Sequence, residues 1–191
     1  MKKSRKSLFI NVKSLTFCAM LVSLSVILGW IGRTYFTFGA GISAVRITFE
    51  NLPVIASGFI FGPVVGGIVG IICDLVSCLV APQPSINPFI TLGTCLTGLV
   101  SGLLFKYIFK EKRRLFPILV SSLFAHLIGS IITKTFGFYV YYSYPFLATA
   151  ILRFAIYMGI GTGEALLLFS LFKNRTLFSM IENLKKKDGR R

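Results

Sequence analysis

Five residues with chemistry to offer, Arg46, Glu50, Asp74, Asn87 and Thr91, fall between Val45 and Gly93 in a stretch that is otherwise mostly apolar. A charge inside a segment able to cross a bilayer is costly unless it faces a partner or a cavity. Asp74 is the sharpest case, flanked by Ile71, Ile72, Leu75 and Val76. Its carboxyl group must be neutral, paired or bound, and it is able to accept two hydrogen bonds from the amino edge of a heterocycle. A proton relay is the competing use, for which one Asp and one poorly matched His126 make a thin chain. Arg46, Lys134 and Arg153 come from different helix ends and are able to converge on an anion. The structural alternative is pairing with Glu50, Asp74 or Glu164, and Arg46 with Glu50, spaced i, i+4, is the strongest local pair. Binding is the chemistry these types support. For catalysis the chain shows no HExxH metal spacing, no Walker phosphate loop and no GxSxG elbow.

Two later segments carry polar faces of the same kind. His126, Ser130, Thr133 and Lys134 fall on roughly one side of a helix, with His126 read as a satisfied bundle histidine. Arg153, Tyr157, Gly161 and Glu164, at i, i+4, i+8 and i+11, share one side of another. Between them GFYVYYSYP, with Tyr139 and Tyr144, reads as an interfacial aromatic belt or as a stacking surface for a flat ligand.

The elements that position these residues are transmembrane helices. The chain has 191 residues, 54% of them hydrophobic, with a mean hydropathy of +0.79, and its apolar residues gather in long blocks without the alternation of barrel strands. Helices satisfy the backbone in lipid, and about 20 residues per crossing allow six of them in one membrane domain over residues 1–191: 15–31, 49–62, 64–80, 88–109, 115–136 and 146–172. The second is short, with Pro53 near its start, and is expected to be tilted, kinked or partly withdrawn from lipid. Gly62, Gly66 and Gly70 form a GxxxG row. Asn87 is expected to cap the fourth helix and Pro88 to open it. A net charge of +15 would suggest nucleic acid in a soluble protein; here it reads as topology, and no nucleic acid is expected. Of the 21 Lys and Arg, five precede the first helix, five lie in the last turn of the fourth or between it and the fifth, and seven follow the sixth. That side is expected to be cytoplasmic, with both termini on it. Arg33, Arg46, Lys134 and Arg153 run against the pattern. The four cysteines lie in apolar blocks without metal or redox spacing, and no cofactor is expected.

With these residues in place, the chain resembles the folate family of substrate-binding S components of energy-coupling factor (ECF) vitamin transporters. The match is ordered: a basic start and small-residue first helix, then VRITFENLPVIASGFIFGPVVGGIVGIICDLV, a Pro-rich loop, and NPFITLGTCLTGLVSGLLF. The resemblance implies an all-α six-helix bundle in the bacterial cell membrane, no enzymatic activity, and an outward pocket for folate. It implies as partners a membrane coupling subunit and two cytoplasmic ATPase subunits, with lipid around them. The family motifs cover Arg46, Asp74, Asn87 and Thr91. Chemistry adds Glu50 as an alternative acid for the pterin, Phe38, Tyr139, Tyr144 and Tyr157 as ring partners, and Lys134 or Arg153 for the glutamate carboxylates. The loop from Arg33 to Thr48 is expected to close over the ligand. The family docks through Ala-x-x-x-Ala on the first helix; here Ala19 is followed by Ser23, a departure that keeps both residues small. Rival readings are an S component for thiamine, riboflavin or a queuosine precursor, a lipid-acting membrane enzyme, and a structural assembly subunit.

Overall fold

The computed structural model describes residues 12–38, 45–80, 87–111 and 114–174, without the side chains of residues 37, 38, 45, 46 and 142. Helix α1 (Val12–Tyr35) is followed by a two-residue antiparallel pairing of β1 (Thr37–Phe38) with β2 (Val45–Arg46). Helices α2 (Asn51–Phe61), α3 (Pro63–Val80) and α4 (Pro88–Leu103) come next, and α4 runs on through a π-helical turn, Leu104–Ile108. Helix α5 (Leu115–Ala125) passes through a π-helical stretch (His126–Thr133) into α6 (Lys134–Tyr142) as one rod, and α7 (Phe146–Lys173) completes the bundle. The fold is a nearly all-helical membrane bundle of six rods among the described residues, five of them long and apolar enough to cross a membrane. Lipid-directed faces carry exposed large apolar residues, such as Met20, Leu24 and Ile27 on α1 and Leu147, Ile151 and Phe154 on α7.

The sixth rod, α2, is eleven residues long, about 17 Å at 1.5 Å per residue. It is apolar on every side, which marks a helix surrounded by protein. Helices α1, α3, α4 and α7 contact it, and its residues from Pro53 to Ile60 are buried. Ile55, Ala56, Phe59 and Ile60 join Phe105, Ile118, Ala165, Leu168 and Phe172 in the main core. With no water to expel, close fit and dispersion hold such a core.

Glycine sets the α3–α4 distance. A side chain starting at Gly66 would meet the Gly98 carbonyl oxygen at 2.5 Å, and one at Gly70 would strike the Thr94 carbonyl oxygen. Gly62 does not belong to that row. It makes the α2–α3 turn at φ +96°, a conformation glycine adopts without strain.

Two stretches differ from the sequence reading. Helix α1 continues to Tyr35 and takes in Arg33. The tyrosine-rich segment is the end of α6, which runs on through Gly137 where it packs on α4, and Ser143 stops the helix in the left-handed region (φ 53°).

Candidate functional site

The ends of α1 to α4 and the start of α6 assemble a polar rim. Arg33, in the last turn of α1, brings Nη2 to 3.5 Å from Glu50 Oε2, and its Nη1 donates a 3.1 Å hydrogen bond to the Ser77 carbonyl near the end of α3. Glu50 lies in the turn before α2, and its own carbonyl accepts from Ser25 Oγ at 2.6 Å. Gly29 makes room for the ion pair, since a side chain there would start 2.8 Å from Glu50 Oε2.

Asp74 projects from α3 toward α4, where its Oδ2 accepts a 2.6 Å hydrogen bond from Thr91 Oγ1. Asn87 caps α4 by accepting from the Phe89 N–H at 3.0 Å, with Pro88 in the first turn. Its Nδ2 is buried without a hydrogen-bond partner among the described residues. Lys134, 5% exposed, crosses Gly93, where a side chain would start 2.8 Å from the Lys134 Cγ. Arg33 and Glu50 thus neutralise each other, which lowers the cost of holding them at the end of an apolar bundle.

A second, aromatic group adjoins the rim. A side chain at Gly137 would meet Phe89 Cβ at 2.6 Å and Asn87 Oδ1 at 3.5 Å, so α6 lies directly on the start of α4. Next in sequence, the Phe138 ring carries the Arg153 guanidinium 4.5 Å from its centroid and meets Tyr144 edge-on at 6.3 Å. Tyr157 stacks on His126 at 5.2 Å, and His126 Nε2 lies 2.6 Å from Glu164 Oε2. Gly161 keeps α7 close to that imidazole, since a side chain there would start 3.0 Å from His126 Cδ2.

Of the residues singled out in the sequence, Glu50, Asp74, Asn87, Thr91 and Lys134 come together at the rim. Arg153 and Tyr144 meet on Phe138, Tyr157 joins His126, and Tyr139 is 52% exposed against the edge of Phe146. The side chains of Arg46 and Phe38 lie outside the described residues, as do residues 39–44 of the loop. Arg46 has extended backbone in β2, so its i, i+4 spacing from Glu50 is not a helical neighbourhood, and Glu50 pairs with Arg33. Sequence reasoning placed neither Arg33 nor Ser77 in the site. The available signal was that Arg33 ran against the charge sidedness. Ala19 and Ser23 lie exposed on α1.

A family model described as "ECF transporter, substrate-specific component" matches residues 13–182. The chain belongs to that family. Such S components work with a module of membrane and ATPase subunits, and the chain is accordingly a membrane-embedded transport component. Among solved structures it is similar to a crystal structure of FolT bound with folic acid, at TM-score 0.67 and 21% identity over 84% of this chain and 93% of that one. It is also similar to an S component for biotin from an ECF-type ABC transporter, at TM-score 0.64 and 19% identity over 85% and 92%. A third similar structure, the S component of a bacterial ECF transporter, gives TM-score 0.51 and 20% identity over 91% and 98%. At these identities the likeness is one of fold. No curated protein sequence matches the chain.

Proposed function

We propose that this S component captures folate at the rim and delivers it through an ATPase-driven coupling module. The observation that carries the reading is the Asp74–Thr91 hydrogen bond, which holds a carboxyl group between α3 and α4, three residues before the Ser77 carbonyl that binds Arg33, the partner of Glu50. A carboxylate has acceptor sites left after one bond, and the amino-pyrimidinone edge of a pterin supplies paired donors for them. Lys134, Arg46 and Arg153 are the cations for the glutamate carboxylates, and Phe38, Tyr139, Tyr144 and Tyr157 are the ring partners. The excess of Lys and Arg on the opposite side makes the rim outward and both termini cytoplasmic. Ala19 and Ser23 then offer a small-residue face to the coupling subunit, which two cytoplasmic ATPase subunits drive.

The test is an equilibrium titration of the purified chain with folic acid, next to its absorbance for a co-purified pterin. Substitution Asp74→Ala is expected to weaken folic acid binding more than tenfold; unchanged affinity removes Asp74 from the site. Biotin is the second reading, because the biotin S component matches the fold almost as well and a ureido ring with one carboxylate also suits an acid and a lysine. A parallel titration with biotin separates the two.

A further inference from the structure

A buried primary amide with neither half hydrogen-bonded is costly, and more so where no water is at hand. Asn51 is such a group. It is fully buried, and both Oδ1 and Nδ2 lack a hydrogen-bond partner among the described residues. The local structure does not use the amide: Glu50 holds the cap position of α2, no side chain caps that helix, and every residue after Asn51 in its first two turns is apolar or small. By contrast Ser57, the other buried polar side chain of α2, donates back to the Val54 carbonyl at 2.6 Å.

Its position points to the substrate. Asn51 directly follows Glu50, the partner of Arg33, and so lies one residue from the rim. Phe49, two residues earlier, sets its ring 3.4 Å from where a side chain on Gly163 would start. The next residue, Glu164, also has a buried oxygen, Oε1, without a partner among the described residues. Two unsatisfied polar groups therefore belong to adjoining stretches of α2 and α7.

We propose that Asn51 reads the substrate, its side-chain amide pairing with an adjacent donor and acceptor on the bound molecule. An Asn amide presents C=O and N–H side by side in one plane. Its complement is an N–H next to a C=O or ring nitrogen, as in a lactam, a cyclic urea or an amino-pyrimidinone. A metal ion or an isolated carboxylate lacks that edge. The proposal rests on the reading of the chain as a vitamin-binding component, and it deepens that reading without choosing between folate and biotin, which both carry such an edge. Asn51 is enclosed in this conformation, so on this proposal the ligand reaches it through a local opening at the start of α2, where Arg33 holds the preceding residue, Glu50. A substrate carboxylate competing for Arg33 supplies the means.

The experiment compares the full-length chain with Asn51→Leu, a nearly isosteric apolar replacement, by titration with folic acid and with biotin and by thermal unfolding without ligand. Asn51→Leu is expected to bind whichever compound the wild type binds at least tenfold more weakly. Without ligand it is expected to melt higher than wild type, since an unsatisfied amide has been removed. Wild-type affinity in the variant overturns the proposal, and so does weakened affinity with a lower melting temperature, which marks the amide as structural. Asn51→Ala carries the same affinity test where leucine does not fit. Should the wild type bind neither compound, the folate reading fails on its own, and the melting temperature of Asn51→Leu decides this one: higher supports it, lower overturns it.

Discussion

The His126–Glu164 and Arg33–Glu50 pairs differ in burial, and that difference decides what each does. His126 and Glu164 are 1% and 0% exposed and lie 2.6 Å apart, whereas Arg33 and Glu50 are about a quarter exposed (24% and 26%) and 3.5 Å apart. A partly exposed pair contributes little to stability, so Arg33–Glu50 matters for what it positions. Removing one member of a buried pair strands the other, which costs about 3–5 kcal/mol, while replacing both with apolar side chains is often neutral. His126→Leu and Glu164→Leu are each expected to lower the melting temperature by several degrees or more, and the double variant to recover most of that loss. Thermal unfolding in detergent checks this; a double variant that loses the sum of the two would show that the residues act independently. The sequence placed Glu164 on the face of Arg153, Tyr157 and Gly161 because that follows from helical spacing alone. It did not pair Glu164 with His126 or Arg33 with Glu50, because those meetings depend on which helices become neighbours.

At the scale of elements, glycine governs the scaffold beneath the rim. Gly98 on α4 lies against the Gly66 carbonyl of α3, and a side chain starting at Gly58 on α2 would meet the Gly98 carbonyl at 2.5 Å, so three helices converge on one residue. Gly98→Ala must push backbones apart, and overpacking of this kind costs about 1–3 kcal/mol. Gly159 on α7 has nothing within 4 Å of an added methyl group, and Ala favours a helix over Gly by about 0.5–1 kcal/mol. Melting temperatures are therefore expected to fall for Gly98→Ala and to hold or rise for Gly159→Ala; equal effects would mean that the contact at Gly98 does not set the helix spacing. Much of this scaffold was legible, since the apolar blocks, the Gly66 and Gly70 part of the GxxxG row and the Asn87–Pro88 start all follow from local rules. The π-helical stretch from His126 to Thr133 was not. It lies where Gly129 backs onto Thr97 and Gly93 of α4, and no local pattern in the sequence announces that contact. The helical tyrosines of α6 were missed for a related reason, since their helix is supported by α4 packed against Gly137.

For the whole molecule the question is whether capture and delivery use separate surfaces. Arg33 ends α1 at the rim, whereas Ser23 is ten residues back, about 15 Å along the helix. Ala19 and Ser23 are exposed, and Ser23 Oγ donates back to the Ala19 carbonyl at 3.1 Å, so the patch presents small side chains with its hydroxyl already satisfied. In a membrane such a surface permits close approach of another helix, and a large side chain prevents it. Ser23→Trp is therefore expected to leave the affinity for the bound vitamin within about twofold of wild type, because an indole at that distance does not reach the rim. Uptake into vesicles containing the assembled transporter is expected to fall at least tenfold, because docking on the coupling subunit is blocked. Binding and uptake measured on the same variant check both halves. Wild-type uptake would move the coupling surface off this face of α1, and loss of binding would show that the two ends of the helix are mechanically linked.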